Sequence, residues 1–220
     1  MNRMKHKTVL DIALTLLLGT QMAYSLISEV SHEISGLCMV ALLALHHALN
    51  GSFHRRLFRG RYTPYRIALT VMDVAMLIIF LSQASSGLVM AKHVRLLNVN
   101  GVNQARTAHL PGAYWGFVLC GVHAGLHTTG LLRRWLRMKH RSSKAVVAVI
   151  VLALLVSGGL AFVKRSLLDY MTLKQQFVFF DYGEPLAYFF LDYVLILFMF
   201  TIIGCIAGYG LQSIKGRKHT

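Results

Sequence analysis

Six apolar runs, each near the length needed to cross a bilayer, dominate this 220-residue chain. They cover 8–29, 32–50, 66–90, 109–132, 145–163 and 186–211. A hydrocarbon core of about 30 Å takes a helix of about 20 residues at 1.5 Å each. None of the three prolines falls in the middle of a run. Hydrophobic residues make up 55% and charged residues 14%, where a soluble domain carries roughly 25% charged. A soluble fold of this size cannot hide that much apolar surface. The expectation is one all-α domain over residues 1–220, a polytopic membrane bundle of about six transmembrane helices. The first two runs are separated only by a short turn at Val30-Ser31.

The formal net charge of +15 then needs an explanation. Nucleic-acid binding is excluded, because the charge comes with this hydrophobicity. If the N-terminus is cytosolic, the inner side carries Arg3, Lys5, Lys7, Arg55, Arg56, Arg59, Arg61, Arg66, Arg133, Arg134, Arg137, Lys139, Arg141, Lys144, Lys215, Arg217 and Lys218. Only Lys92, Arg95, Arg106, Lys164, Arg165 and Lys174 remain outside, so 17 of the 23 basic residues lie inside. The positive-inside rule predicts both termini inside the cytoplasmic (inner) membrane of a multi-pass protein. The basic n-region Met1–Lys7 and the small-x-small Ala23-Tyr24-Ser25 also suit a cleaved signal peptide. The length of the run favours a retained helix. Cys38, Cys120 and Cys205 all lie in runs and form no CxxC or CxxCH, which leaves no zinc cluster, covalent haem attachment or expected disulfide.

The eleven histidines carry the functional signal. His6, His54, His93, His140 and His219 lie in loops or tails. His32, His46 and His47 lie in the second run, and His109, His123 and His127 in the fourth. Ionisable groups at membrane depth are expensive and point to function. His32 to His46 and His109 to His123 are both separations of 14 residues. Fourteen steps of 100° return to within about 40° of the start and climb about 21 Å. Each pair therefore shares a helix face, with one imidazole toward each membrane surface. The two runs also cross in the same direction, so His32 matches His109 in depth and His46 matches His123. Two parallel helices with this spacing are suited to sandwich two porphyrin irons by bis-histidine ligation. His47 and His127 are the alternates to their neighbours. Pro111 suits a first helical turn, which would leave His109 on the entering loop.

The stretch SHEISGLCMVALLALHHALNGSFHRRLF and the stretch ARTAHLPGAYWGFVLCGVHAGLHTTGLLRR resemble the flavinylation-associated cytochrome family of bacterial membrane proteins. The likeness lies in His109 with Tyr114-Trp115-Gly116-Phe117-Val118-Leu119, and in the His-x-Gly-x-His element of His123, Gly125 and His127. FLSQASSGLVM and FVFFDYGEPLAYFFLDY extend it over most of the chain. The resemblance implies a di-haem b-type cytochrome, with His32, His46, His109 and His123 ligating two b haems, or one haem if His109 is not a ligand. It also implies electron transfer across the membrane to an extracytosolic partner carrying covalently bound flavin. Leu110-Pro111-Gly112 after His109 and the doubled His46-His47 depart from the pattern.

Other residues take supporting roles in this reading. Gly36 and Gly116 are candidates to pack flat against a porphyrin, with Gly19, Gly87, Gly121 and Gly125 as further small surfaces. Arg106 is a candidate propionate partner outside, with Arg95 and Lys92; Arg55 and Arg56 would serve inside. Asp11, Asp73 and Asp192 lie in or at runs, and Asp73 suits either quinol proton uptake or a buried Asp–His pair. The aromatic segment Phe177–Tyr193, with Asp181 and Glu184, reads as an aromatic belt or a docking surface for a flavin domain. There is no dinucleotide fingerprint and no phosphate loop, so electrons must come from a quinol or a cytosolic partner. A quinol-linked reductase in its own right, and a non-redox transporter or assembly protein with proton-relay histidines, are the alternatives.

Overall fold

The computed structural model describes residues 2–51, 62–94 and 100–214, and every regular element among them is helical. The helices are α1 (Asn2–Met22), α2 (Tyr24–Ile27), α3 (Glu29–Leu49), α4 (Pro64–Met90), α5 (Val102–His127), α6 (Thr129–Leu136), α7 (Arg141–Lys164), α8 (Leu167–Met171) and α9 (Leu186–Ser213). By length and composition α3, α4, α7 and α9 are able to cross a membrane. The other two long helices carry more polar residues: Arg3, Lys5, Lys7 and Asp11 in α1, and Arg106 with three histidines in α5.

Local chemistry places the helix ends. The Ser28 hydroxyl accepts the Ser31 N–H at 2.9 Å and so caps α3. The turn expected at Val30-Ser31 therefore lies inside α3. The chain reverses earlier, at residues 23–28, where Tyr24 holds a positive φ of 25°. Thr63 caps α4 in the same way, with Pro64 in the first turn where no donor is lost. Gly101, at φ 115°, starts α5. Helix α5 begins seven residues before His109 and runs through Pro111, so His109 is on the helix and not on an entering loop. Pro111 removes one N–H, that for the Thr107 carbonyl, and the bonds on either side carry the helix through. Its far end comes at Thr128, whose hydroxyl bonds back to the Ala124 and Gly125 carbonyls; the expected run to residue 132 is thus split into α5 and α6.

Helix α5 packs against α4, α8 and α9, α9 also lies along α7, and α3 leans on α1. The core clusters Leu18 and Met22 of α1 with Tyr114, Phe117 and Val118 of α5, Leu167, Tyr170 and Met171 of α8, and Phe189, Tyr193 and Ile196 of α9. By contrast Val149, Leu152, Leu160 and Val163 of α7 are exposed. A row of large apolar side chains facing outward is unfavourable in water and favourable in lipid. These helices suit a lipid membrane.

Glycines set the closest crossing. A Cβ on Gly125 would fall on the Thr201 carbonyl oxygen, and one on Gly204 would fall on the Val122 carbonyl oxygen. Gly121 likewise faces Leu197 and Phe200. Gly121 and Gly125, considered above as porphyrin surfaces, are thus taken up by α9. Backbones this close favour the small residues common at membrane-helix contacts. Replacing Gly125 with Val should force α5 and α9 apart, at a cost of about 1–3 kcal/mol or more. The measurement is thermal unfolding of the detergent-solubilised protein. Gly130→Ala, where nothing lies within 4 Å of the added atom, should leave the midpoint unchanged or higher.

Candidate functional site

The six histidines of the second and fourth runs gather in two groups where α3, α4 and α5 meet. At the first end the rings of His32 and His109 lie 6.3 Å apart, centroid to centroid. Gln21 of α1 reaches across to the His32 carbonyl at 3.3 Å and to Ser35 Oγ at 2.6 Å, beside Gly36. The Tyr24 ring meets His32 edge-on at 5.1 Å. Gln83 of α4 donates to the His109 carbonyl at 3.0 Å. His109 Nδ1 lies 2.9 Å from Ser86 Oγ, and that hydroxyl is also 2.5 Å from the Ser82 carbonyl. A hydroxyl has one proton. If the Ser82 carbonyl takes it, Ser86 accepts from Nδ1–H, and His109 keeps a lone pair on Nε2. A Cβ on Gly87 would stand 3.5 Å from the same ring.

At the second end His46 Nδ1 lies 2.9 Å from the Asp11 carboxylate. An ionised carboxylate only accepts, so Nδ1 carries the proton and Nε2 again keeps its lone pair. His123 Nδ1 lies 3.0 Å from Asp73 Oδ1. That contact is electrostatic, because the ring nitrogen lacks hydrogen-bond geometry and is buried without a hydrogen-bond partner. Asp73, His123 and His127 each bring a ligand atom within 4.8 Å of the others, and the His123 and His127 rings are 4.6 Å apart. His127 lies near enough to His46 and Asp11, as well as to Asp73, to feel their charges. His47 lies edge-on to His46, 5.8 Å away.

The structure thus pairs His32 with His109 directly and gathers His46, His123 and His127 around two aspartates. Since 32 meets 109 at one end and 46 lies near 127 at the other, α3 and α5 run parallel, as the order of the runs predicts. A Cβ on Gly116 would stand 3.2 Å from Ile79 of α4. Arg106 lies over the Phe177 ring at 5.7 Å, and Lys92 pairs with Glu29 at 3.0 Å. Arg55, Arg56 and Arg95 lie outside the described residues. Sequence reasoning missed Asp11, Ser86, Gln83 and Gln21 as partners of the histidines. Polar residues inside apolar runs were the available signal. It missed Glu33 too, whose carboxylate collects the backbone N–H groups of Lys92, His93 and Val94 at 2.8–2.9 Å and ties the end of α4 to α3.

A separate cavity of about 330 Å³ lies between α5, α7, α8 and α9. Tyr114, Tyr170, Tyr193, Phe179 and Arg165 are among its walls. Asp192, read above only as a carboxylate in the sixth run, bonds both Lys164 and Arg165 at 2.8–2.9 Å. Glu184 joins them, 2.9 Å from Lys164 and 2.6 Å from Arg165. No family model, curated protein or solved structure matches the chain.

Hydrogen bonding to Lys164 first, and to Arg165, holds the Glu184 carboxyl below its ordinary value. A lowered carboxylate contributes stability above its unfolded value of about 4.3, and that contribution disappears as pH falls through the lowered value. The thermal midpoint should therefore drop on acidification from pH 5 to pH 3. Glu184→Gln should lower the midpoint at pH 5 and flatten this fall, as measured by thermal unfolding at each pH.

Proposed function

We propose that the chain is a b-type membrane cytochrome that carries electrons across the cytoplasmic membrane to an extracytosolic flavin-carrying protein. In this reading six helices span the membrane with both termini cytosolic, because 17 of 23 basic residues then lie inside. The His32–His109 separation carries the reading. Two imidazoles on opposite sides of one iron, each bonded at about 2 Å, hold their ring centroids about 6 Å apart. The observed 6.3 Å is too long for a direct hydrogen bond between the rings and matches that spacing. The donor chemistry fits as well: Ser86 and Asp11 occupy Nδ1 of His109 and His46, which leaves Nε2 for a metal.

Bound b haem supplies one-electron chemistry. The residues supply the rest. His32 and His109 hold one group, and His46 with His123 holds the other, with His127 beside the second pair. Ser86 and Asp11 orient the imidazoles of His109 and His46 by hydrogen bonds, and Asp73 lies against that of His123. Gln21 and Gln83 fix the backbones that carry His32 and His109. Electrons enter from a quinol or a cytosolic donor. The Asp–His contacts also favour a second reading, a non-redox proton relay through His46, His123 and His127.

Spectra of the purified protein separate the two. A reduced-minus-oxidised b-type α-band is expected, with about half of the haem lost in His32→Ala and in His109→Ala, each sparing the same component. His46→Ala and His123→Ala should lose the other half. A wild-type protein without a b-type band, purified from a haem-replete host, would end the cytochrome reading. Loss of the inner component on replacing His127 in place of His123 would reassign that ligand.

A further inference from the structure

The two ends of the cleft differ in charge. At the second end, each histidine assigned as a ligand faces a carboxylate through Nδ1: Asp11 at 2.9 Å from His46 and Asp73 at 3.0 Å from His123. At the first end the partners are neutral. His109 Nδ1 meets only the Ser86 hydroxyl, and His32 Nδ1 is buried with no hydrogen-bond partner. Charged residues near the first end carry both signs: Glu29 pairs with Lys92, Arg106 acts on Tyr24, and Glu33, which acts on His32 through space, is held by three backbone N–H groups. Lys7, one turn before Asp11, is held by Asn50 at 2.8 Å and offsets only part of the two aspartate charges.

A carboxylate hydrogen-bonded to Nδ1, as Asp11 is to His46, raises the basicity of the nitrogen across the ring, and a carboxylate lying against a ring, as Asp73 does on His123, places negative charge beside the site. Both effects stabilise the more positive, oxidised form of a metal bound to that ring. A serine hydroxyl gives neither to the same degree. Resting on the cytochrome reading above, we infer that Asp11 and Asp73 act as positioning residues that set the His46/His123 site at a lower midpoint potential than the His32/His109 site. The slope then runs from the aspartate end to the serine end. Each transfer moves one electron, oxidising the His46/His123 site and reducing the His32/His109 site, with no bond or proton exchanged. A quinol or cytosolic reductant supplies the electron, and an oxidised flavin takes it.

Potentiometric titration of the full chain in detergent, followed at the b-type α-band, tests this. Wild type should show two midpoints. Asp11→Asn and Asp73→Asn should each raise the lower one. The expected change is about tenfold in the oxidised-to-reduced ratio at fixed potential, or about 59 mV for a one-electron couple. The upper midpoint should stay in place, and Asp11→Glu should restore the lower one. If an Asn variant does not hold haem, His46→Ala serves instead, since the haem that remains should titrate at the upper midpoint. Two full haems with both midpoints unmoved in the Asn variants would overturn the inference while leaving the cytochrome reading intact. So would a His46→Ala protein whose remaining haem titrates at the lower midpoint. Wild type with no haem would remove both.

Discussion

Between Gly125 of α5 and Gly204 of α9 the backbones come so close that neither position has room for a side chain. Much of the site geometry depends on this contact. It fixes the rotation of α5, because Gly121 and Gly125 must face α9. Residues 123 and 127 stand two steps away, about 200° round the helix, and residue 109 is about 160° from residue 125. The glycine contact therefore turns all three histidines of α5 away from α9 and toward α3 and α4. Gly116, also opposite Gly125, meets Ile79 of α4. Close packing on one side of the helix creates the cleft on the other.

What lines that cleft follows from the cost of burying polar groups. An imidazole at membrane depth needs a partner for each nitrogen, or a metal. Ser86 and Asp11 satisfy one nitrogen of His109 and His46, and Asp73 sits against one of His123. In the proposed function the other nitrogens are left for the haem irons. Around the cleft, Gln21, Gln83 and Glu33 spend their hydrogen-bonding groups on backbone, fixing the helices more than the rings. Polar residues inside apolar helices thus divide into those that hold backbone and those that face histidine.

Much of this was legible in the sequence. The apolar runs located the long helices, and their order across the membrane anticipated parallel α3 and α5 with His32 level with His109. Local rules failed where tertiary contact took over. Pro111 read as a helix start, yet α5 begins at Val102, because a helix tolerates one missing donor when the bonds on either side hold. The glycines near His123 read equally well as porphyrin surfaces or as packing surfaces, since both need a bare backbone; only the position of α9 decides between them. Asp11 was visible as a carboxylate in an apolar run, but its partner lies 35 residues away on another helix, and no local pattern encodes that separation.

The paired imidazoles of His32 and His109, together with the aspartate-backed group at the other end, form the central claim: two bis-histidine sites on one pair of helices. The most direct measurement is haem stoichiometry, taken as haem content per chain of protein purified from a haem-replete host. The account predicts two b haems for each chain. Purified protein that contains no haem would contradict it, and a single haem would leave only one of the two histidine sites standing.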